Sequence, residues 1–571
     1  MKKILIYLPI VTTTIVILSL FVQTLSDLYL PTLTAEIINI GVIRNNQTVI
    51  WQRGLLMLLF SAVSFGSAAV SVYLSAGIAN KLGEKLREKV FKKVASFSQK
   101  EMDHFGASSL ITRNTNDVTQ VQNLVEMALK FIIIAPIYLF GGLYFSYRLD
   151  ARLTLIFISV TPLLLLACLL TFRYANPLFE KVQGKIDQLN LIFKEGLTGI
   201  QVIQAFNKEE TEYKRYEKEN DIYTKLAIRS NVLVSFLIPF MTLVMSVATV
   251  VITWLGAKDI NVGQMEIGTM IGVISYAGQI LSGIGILTMV ISFIPRGQTS
   301  AKRINEVLEY QNEIQDGENQ LQINQTEKNQ LVLEDVTFRY DEAEENTIDH
   351  FSFSVQSEEV LAIIGSTGAG KTTLINLLDR LYDPTDGAIL FNNQKINQIT
   401  QTKWHEQVSL VPQMNQLFSR TIRENLRIGN EQASDKELWQ ALKLAEAADF
   451  VEASGGLDGL VEKNGGNFSG GQKQRLCLAR AFIKKAPIYL FDDSFSGLDF
   501  KTDAKIQRNI RNGLKKSIKI IVAQRITTVK NATHIAVINE GKLVGFGSHE
   551  ELKQNNSVYQ EIILSQMEAV E

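Results

Sequence analysis

Six uncharged apolar stretches precede residue 300, at 4–22, 55–79, 131–147, 153–172, 232–257 and 267–295. A bilayer crossing takes about 20 apolar residues. Most of the six reach that length, and 131–147 is marginal. Buried core helices of a soluble fold do not explain six such runs, so the pattern predicts six membrane-spanning helices. Lys2 and Lys3 precede the first run as in a signal peptide, yet no small-residue cleavage site follows. A retained helix is therefore expected. From 330 onward the pattern changes to short β-type runs alternating with helical ones, as in an α/β domain.

The connections between the apolar runs are unequal. Lys and Arg concentrate between runs two and three and between runs four and five, from Lys81 to Arg113 and from Lys181 to Arg229. The other connections are short. Basic loops stay on the cytoplasmic side, so both long segments, and with them both termini, are expected in the cytoplasm. Leu82, Leu86, Val90 and Val94 recur at helical spacing. The spans should continue as long helices into the cytoplasm, turning back near 105–109 and 205–210. Each tip is either a solvated hairpin or a docking element for a cytosolic motor. Pro136, Pro162 and Pro239 are expected to kink their helices, and Met241, Met245, Met270 and Met289 either pack or line an adaptable pocket. Asp27 and Glu36 flank Pro31 close to the first run. An ionisable group at membrane depth faces a cavity or a partner. Asp27 is read as a contact for cationic substrate or as an outer-interface residue that water reaches.

Composition narrows the class. Of 571 residues, 46% are hydrophobic and 20% charged, below the ~25% charged typical of a soluble chain. Net charge is −1, so no basic field marks a nucleic-acid partner. Two cysteines, Cys168 and Cys477, exclude a disulfide scaffold and a Cys-based zinc site and are read as packing residues. His104, His350, His405, His534 and His549 form no metal-type cluster. The polar stretch 311–330 reads as a linker between a domain at 1–310 and a domain at 331–571.

The second domain carries the chemistry. An apolar strand at 360–364 runs into Gly365, Ser366, Thr367, Gly368, Ala369, Gly370, Lys371 and Thr372, followed by Thr373 and a helical run. This is GxxxxGK[ST] in its strand–loop–helix setting. Its glycines let backbone N–H groups wrap phosphates at a helix N-terminus. Lys371 would reach the β- and γ-phosphates of ATP and Thr372 would bind Mg²⁺. A second apolar strand, at 488–491, ends in Asp492, which suits the magnesium-side carboxylate of a P-loop NTPase. Between them, Ser469, Gly470, Gly471 and Gln472 open another helix. One nucleotide does not need two such anion sites on one chain. A head-to-tail dimer explains the pair, each chain's Ser-Gly-Gly run closing over its neighbour's γ-phosphate.

On these motifs and their order, the whole chain resembles an ATP-binding cassette (ABC) exporter half-transporter. The fold implied is an α-helical membrane domain of six transmembrane helices with long cytoplasmic extensions, fused to an α/β P-loop ABC nucleotide-binding domain. The resemblance makes Tyr340 the aromatic that stacks on adenine and Gln413 the Q-loop glutamine that senses Mg²⁺. It makes Ser496-Gly497-Leu498-Asp499 the D-loop, with Gly where Ala is usual. Glu462 with Gly465-Gly466 falls on the loop that meets the coupling helices, and the turns near 105 and 208 match those helices.

Two positions depart from the family. Asp493 stands where a glutamate orients the attacking water, and Gln524 stands where a histidine contacts the γ-phosphate. A carboxylate one methylene short sits about 1.5 Å back, and displacements near 1 Å can cost ~10²-fold. Gln donates a hydrogen bond but carries no charge at neutral pH. With Ser469 and Gly471 intact, this resembles the degenerate-site subunit of a heterodimeric multidrug exporter. Its own site would bind ATP with little turnover, and its Ser469–Gln472 segment would serve a partner half-transporter that supplies the missing glutamate and histidine. The implied setting is a bacterial plasma membrane, with the lipid bilayer and small lipophilic substrates as further partners. A homodimeric lipid or peptide exporter with a slow Asp-based site, and an ATP-gated channel-like protein, remain as alternatives.

Overall fold

The computed structural model describes residues 9–317, 328–341 and 343–568. Residues 2–8, including Lys2, Lys3 and the start of the first apolar run, lie outside the described residues. So does 318–327 of the linker 311–330. The chain divides into two compact units. The first comprises the chain up to Ala95 together with Ala107–Tyr310; the second comprises Ser96–Gly106 together with the chain from Gln311.

Among the described residues, the first unit contains six helices long and apolar enough to cross a membrane: Ile10–Val42, Gln47–Ala95, Ala107–Leu149, Ala151–Thr198, Glu209–Asn261 and Ile267–Glu309. At 1.5 Å per residue, Gln47–Ala95 is ~73 Å long, more than twice a ~30 Å hydrocarbon layer. At most 33% of any apolar window is buried within the protein. So much apolar surface facing outward suits lipid rather than water as the surrounding medium. Polar side chains tie the bundle together. Gly268 N donates to Asn39 Oδ1 at 2.6 Å, and Asn39 Nδ2 donates to Thr269 at 3.2 Å. Tyr276 Oη lies 2.8 Å from both Thr32 Oγ1 and the Leu28 carbonyl.

The prolines behave differently from one another. Pro136 closes a helix and is followed by a π-helical stretch, Ile137–Gly141. Ala151–Thr198 runs through Pro162 without interruption. Pro239 stands three residues after the interruption at Phe236 that divides the span Glu209–Asn261 into Glu209–Ser235 and Leu237–Asn261, where its missing N–H cannot bond back to the Ser235 carbonyl. Met241 and Met245 are buried in the helical core, as is Cys168, so these methionines pack rather than line an open pocket. Cys477 is likewise buried, in the second unit.

Both long loops reverse at short helices. The second turns over Phe206–Lys208 after Ile200–Ala205, with Asn207 left-handed at φ 49°. The first turns at Ser96–Gly106, around the helix Gln99–Phe105. This tip packs with the second unit rather than with the helices it joins, for identifiable reasons. Asn312 Nδ2 donates to the Ser96 carbonyl at 2.6 Å. Glu313 N donates to Glu101 Oε1 at 2.8 Å, and Glu101 is fully buried. Lys100 bridges Glu313 and Asp341, and Tyr382 Oη donates to Asp103 at 2.9 Å.

The second unit is built on ten described strands: β1 Gln330–Phe338, β2 Ile348–Gln356, β3 Val360–Gly365, β4 Asp386–Phe391, β5 Gln394–Lys395, β6 Val408–Val411, β7 Ile488–Asp492, β8 Ile518–Val522, β9 His534–Asn539 and β10 Lys542–Gly547. They form one sheet in the order β5-β4-β1-β2-β10-β9-β3-β8-β7-β6. The β5-β4-β1-β2 end is antiparallel, whereas β9, β3, β8, β7 and β6 are mutually parallel. Strands β7 and β8 are buried along their whole length. Their near-continuous apolar sequences follow from helices covering both faces of a parallel sheet.

Candidate functional site

Four parallel strands end at one edge of the sheet. Val411 of β6 pairs with Phe491 of β7, Asp492 of β7 with Val522 of β8, and Val522 with Ile363 of β3. This register sets Gln413, Asp492-Asp493, Gln524 and the loop after Gly365 in a row. In open α/β sheets, ligands bind beyond the carboxyl ends of the strands.

The loop leaves β3 at Gly365 and enters the helix Lys371–Leu378. Gly368 and Gly370 take φ of 84° and 100°, a region that side chains with a Cβ avoid. A Cβ at Gly370 would also come within 2.7 Å of the Thr347 carbonyl. The path from Ser366 to Gly370 therefore needs glycine at these points. Lys371 Nζ donates to the Gly365 and Ser366 carbonyls at 2.9 and 2.6 Å, folded back over the loop. Burial pushes its pKa down, opposed by Asp493 and Asp492. A buried ammonium whose hydrogen bonds go to carbonyls is ready to exchange them for phosphate oxygens. Thr372 Oγ1 lies 3.4 Å from Asp492 Oδ1, a hydroxyl and a carboxylate placed as hard oxygen ligands for Mg²⁺. Ala369 is buried, and Thr367 sits on the loop between Ser366 and Gly368.

Asp492 is 4% exposed. Burial pushes its carboxyl up; the Thr372 hydrogen bond works against that shift and Asp493 adds to it. Asp493 takes a left-handed φ of 48°, a conformation Asp tolerates better than most residues. Its carboxyl is also raised by burial. Its backbone is fixed on three sides: its N–H donates to the Val522 carbonyl, and its carbonyl accepts from Ser496 Oγ and Gln474 Nε2. Gln524 Nε2 donates to Asp493 Oδ2 at 3.2 Å. The two departures from the family pattern therefore touch each other.

Ser469 N-caps the helix Gly470–Ile483 in a reciprocal capping box with Gln472. Ser469 and Gly470 are exposed, with open space where a Gly470 Cβ would stand. No hydrogen bond joins Ser469–Gln472 to the loop around Lys371 among the described residues. A Cβ at Gly471 would lie 3.1 Å from the Gly497 carbonyl. Tyr340 Oη is 3.1 Å from Thr373 Oγ1, and its ring stands edge-on to Phe338 and Tyr382. Gln413 is exposed just beyond β6.

Two contributors were not readable from motifs. Gln566 Nε2 donates to the Gln524 carbonyl at 2.6 Å, while Gln566 Oε1 accepts from Ile526 N at 2.9 Å. The C-terminal helix Ser557–Glu568 thus holds the backbone on both sides of the switch residue. Arg525 donates to the Leu498 and Ser496 carbonyls, fastening the segment Ser496–Asp499 to the same loop. Neither Gln566 nor Arg525 sits in a recognisable pattern, and only the fold brings them in. In the first unit, Asp27 accepts from Ser64 Oγ at 2.6 Å and Tyr138 Oη at 2.8 Å. It is a half-buried, hydrogen-bonded group rather than a freely hydrated one.

Comparison with known proteins gives two family matches: the ABC transporter transmembrane region over residues 13–284 and the ABC transporter domain over residues 348–496. An uncharacterized ABC transporter ATP-binding protein of Mycobacterium tuberculosis is 35% identical, covering 95% of this chain and 94% of its own length. A multidrug resistance ABC transporter ATP-binding and permease protein of Lactococcus lactis is 29% identical over 89% of this chain and 86% of its own. The structure of a bacterial Atm1-family ABC exporter with ATP bound superposes with a TM-score of 0.82 at 24% identity, covering 98% of each chain, and so shares the fold.

Proposed function

Because the chain belongs to the ABC transporters, with the membrane region fused to the ATPase region, we propose that it is the degenerate-site half of a heterodimeric exporter of drugs or other lipophilic compounds. ATP-driven export is the activity of this build. The finer reading rests on one observation, the Gln524–Asp493 hydrogen bond.

A residue that orients an attacking water must present a free carboxylate oxygen toward it. Asp493 is a methylene short, and one of its oxygens is occupied by an uncharged amide. Neither group can relay a proton from water to a neighbouring imidazole, because no histidine is there. Binding is a separate matter. Gly365–Thr373 and Tyr340 would hold the nucleotide, and Thr372, Gln413 and Asp492 would hold Mg²⁺. The metal, when bound, neutralises phosphate charge. Lys371 contributes a positive charge to the same place without needing a water to be activated.

The Ser469–Gln472 segment, with Ser469 and Gly470 exposed, supports a role outside this chain's own loop. Its capped helix N-terminus offers backbone N–H groups to a phosphate on a second half-transporter that carries the missing glutamate and histidine. Closure of the two nucleotide units around ATP would be passed through the short helices Gln99–Phe105 and Ile200–Ala205 to the spans. The basic loops support an orientation with both termini in the cytoplasm, and the bacterial relatives support a plasma membrane as the host bilayer. The Lactococcus relative's name supports drug-like cargo.

A second reading is a homodimeric exporter of lipids or peptides with a slow site. It is favoured by Asp493 keeping a carboxylate beside Asp492 and Lys371. ATP binding and turnover by the purified chain alone, with Lys371→Ala as control, separates the two. Tight binding with negligible turnover supports the degenerate half; brisk Lys371-dependent turnover supports the homodimer.

A further inference from the structure

The second unit contains a cavity of about 390 Å³ bounded by the helix Phe500–Gly513 and by the segment 527–532 that follows the switch loop. Three cations line it: Arg508 and Arg511 on the helix and Lys530 on the segment. All three are exposed, and among the described residues no hydrogen bond or ion pair engages their side chains. Arg508 and Arg511 are three residues apart, so they are neighbours on one helix face, where like charges repel. No acidic residue lies three or four positions from either of them. Lys505 on the same helix differs, since it pairs with Glu446 at 3.4 Å. One carboxylate lines the cavity, Asp503, and it is 4% exposed. Its Oδ2 accepts from Thr528 Oγ1 at 3.0 Å, and its Oδ1 is enclosed by protein rather than open to a ligand. Asp503 thus ties the two walls together and leaves the three cations without a counter-ion.

Charge selects the ligand. Three cations against one ionised carboxylate leave a net charge of +2 on the lining. A phosphomonoester carries about −1.5 to −2 at neutral pH, whereas a phosphodiester or a monocarboxylate brings a single charge. Two guanidinium forks and an ammonium also match the three terminal oxygens of a monoester. The deeper lining is apolar: Ile510 and Ile521 are each 2% exposed, and Ala532 lies beside them on the cavity wall. Bare phosphate would leave that wall in water, and an organic body would cover it. We infer that this cavity is a binding site for a small organic phosphomonoester, separate from the nucleotide loop around Lys371. Its position is suited to regulation. The helix Phe500–Gly513 is capped by Asp499 at the end of the segment Ser496–Asp499, and the helix Ile526–Val529 begins two residues after Gln524. A ligand joining Arg508 and Arg511 to Lys530 would restrain both loops at once. Binding here does not rest on the exporter reading, whereas any effect on turnover does.

The test uses 1-naphthyl phosphate as a fluorescent probe, with methyl 1-naphthyl phosphate as the singly charged control. Each is titrated against the full-length protein in nanodiscs, with empty nanodiscs subtracted. The monoester should bind at least about tenfold tighter than the diester, the worth of one charge-assisted hydrogen bond. Inorganic phosphate should displace it only at concentrations at least about tenfold higher, because it covers no apolar wall. Arg508→Gln with Arg511→Gln should weaken the monoester at least about tenfold and leave the diester little changed. Arg511→Lys, which keeps the charge and loses the fork, should lose less. Lys371→Ala should bind the monoester like the wild type. Equal binding of monoester and diester would overturn the inference, as would equal competition by inorganic phosphate, or binding that follows Lys371 and ignores the two arginines. Amide hydrogen exchange on the unmutated protein decides if the arginine variants do not fold. The monoester should protect 503–511 and 526–532, and protection confined to 365–373 would refute the site. Loss of ATP turnover in the chain would bear on the exporter reading alone and leave this binding order intact.

Discussion

Gln524 Nε2 and Asp493 Oδ2 are 3.2 Å apart, so the side chain after β8 and the side chain after β7 hold each other at the strand ends. On the proposed reading, this contact reduces the freedom of each side chain to engage water.

Restoring both should therefore matter more than restoring one. Asp493→Glu with Gln524→His is expected to raise hydrolysis at this chain's own site by roughly 10²-fold or more. Asp493→Glu alone should recover less, because the amide can still occupy the carboxylate. Nucleotide trapping resolved by site checks this; no new turnover in the double variant would mean that these positions are not limiting.

Ser469→Ala and Gly471→Asp should depress ATPase of the assembled transporter while leaving ATP binding at Lys371 unchanged. The serine variant loses a helix cap, ordinarily worth about 1 kcal/mol, and the hydroxyl that faces outward. The aspartate adds a charge where a Cβ already meets the Gly497 carbonyl at 3.1 Å. Steady-state ATPase with either variant against the wild-type partner is the measurement. Full activity would contradict the shared-site arrangement.

Gln566→Ala should loosen the switch from behind. It removes two hydrogen bonds, one on each side of Arg525, each contributing about 1 kcal/mol. The expected result is faster amide exchange at 524–527 and a several-fold fall in the assembly's turnover, with ATP affinity little changed. Hydrogen exchange reads the first effect directly.

Asp379 supplies a pH dependence. Burial raises its carboxyl from the usual 3.8 to about 7, with Lys484 only partly opposing. Between those values the unfolded chain has lost a proton that the folded chain keeps. Folding is therefore favoured least at the alkaline end: this group's destabilising contribution is absent below about pH 4, grows through that window and is complete above about pH 7. Asp379→Asn should stabilise the protein more at pH 8 than at pH 5. Thermal unfolding followed by circular dichroism at the two pH values tests this, and an equal gain at both would refute it.

The six spans and the phosphate loop were legible because each depends on local pattern, length and apolarity for one and glycine spacing for the other. Asp492, Asp493 and Gln524 were legible as strand ends for the same reason. Their mutual contact was not, since it depends on β7 and β8 being neighbours in register, a relation more than thirty residues apart in sequence. Gln566 was hidden further still, being one polar residue on an ordinary amphipathic helix. Placing Ser96–Gly106 with the first domain followed chain continuity, whereas Glu101, Lys100 and Asp103 have partners in the second unit.

The unbroken helix Gln47–Ala95 has a mechanical corollary. A continuous hydrogen-bonded rod of ~73 Å would behave as a lever if pivoted within the bilayer. If ~45 Å of it extends past that pivot, a tilt of ~5° moves its far end by ~4 Å, close to one residue of strand rise. Substrate-sized adjustments among the spans can thus become displacements large enough to change which groups meet at the other end, without any part of the rod having to melt.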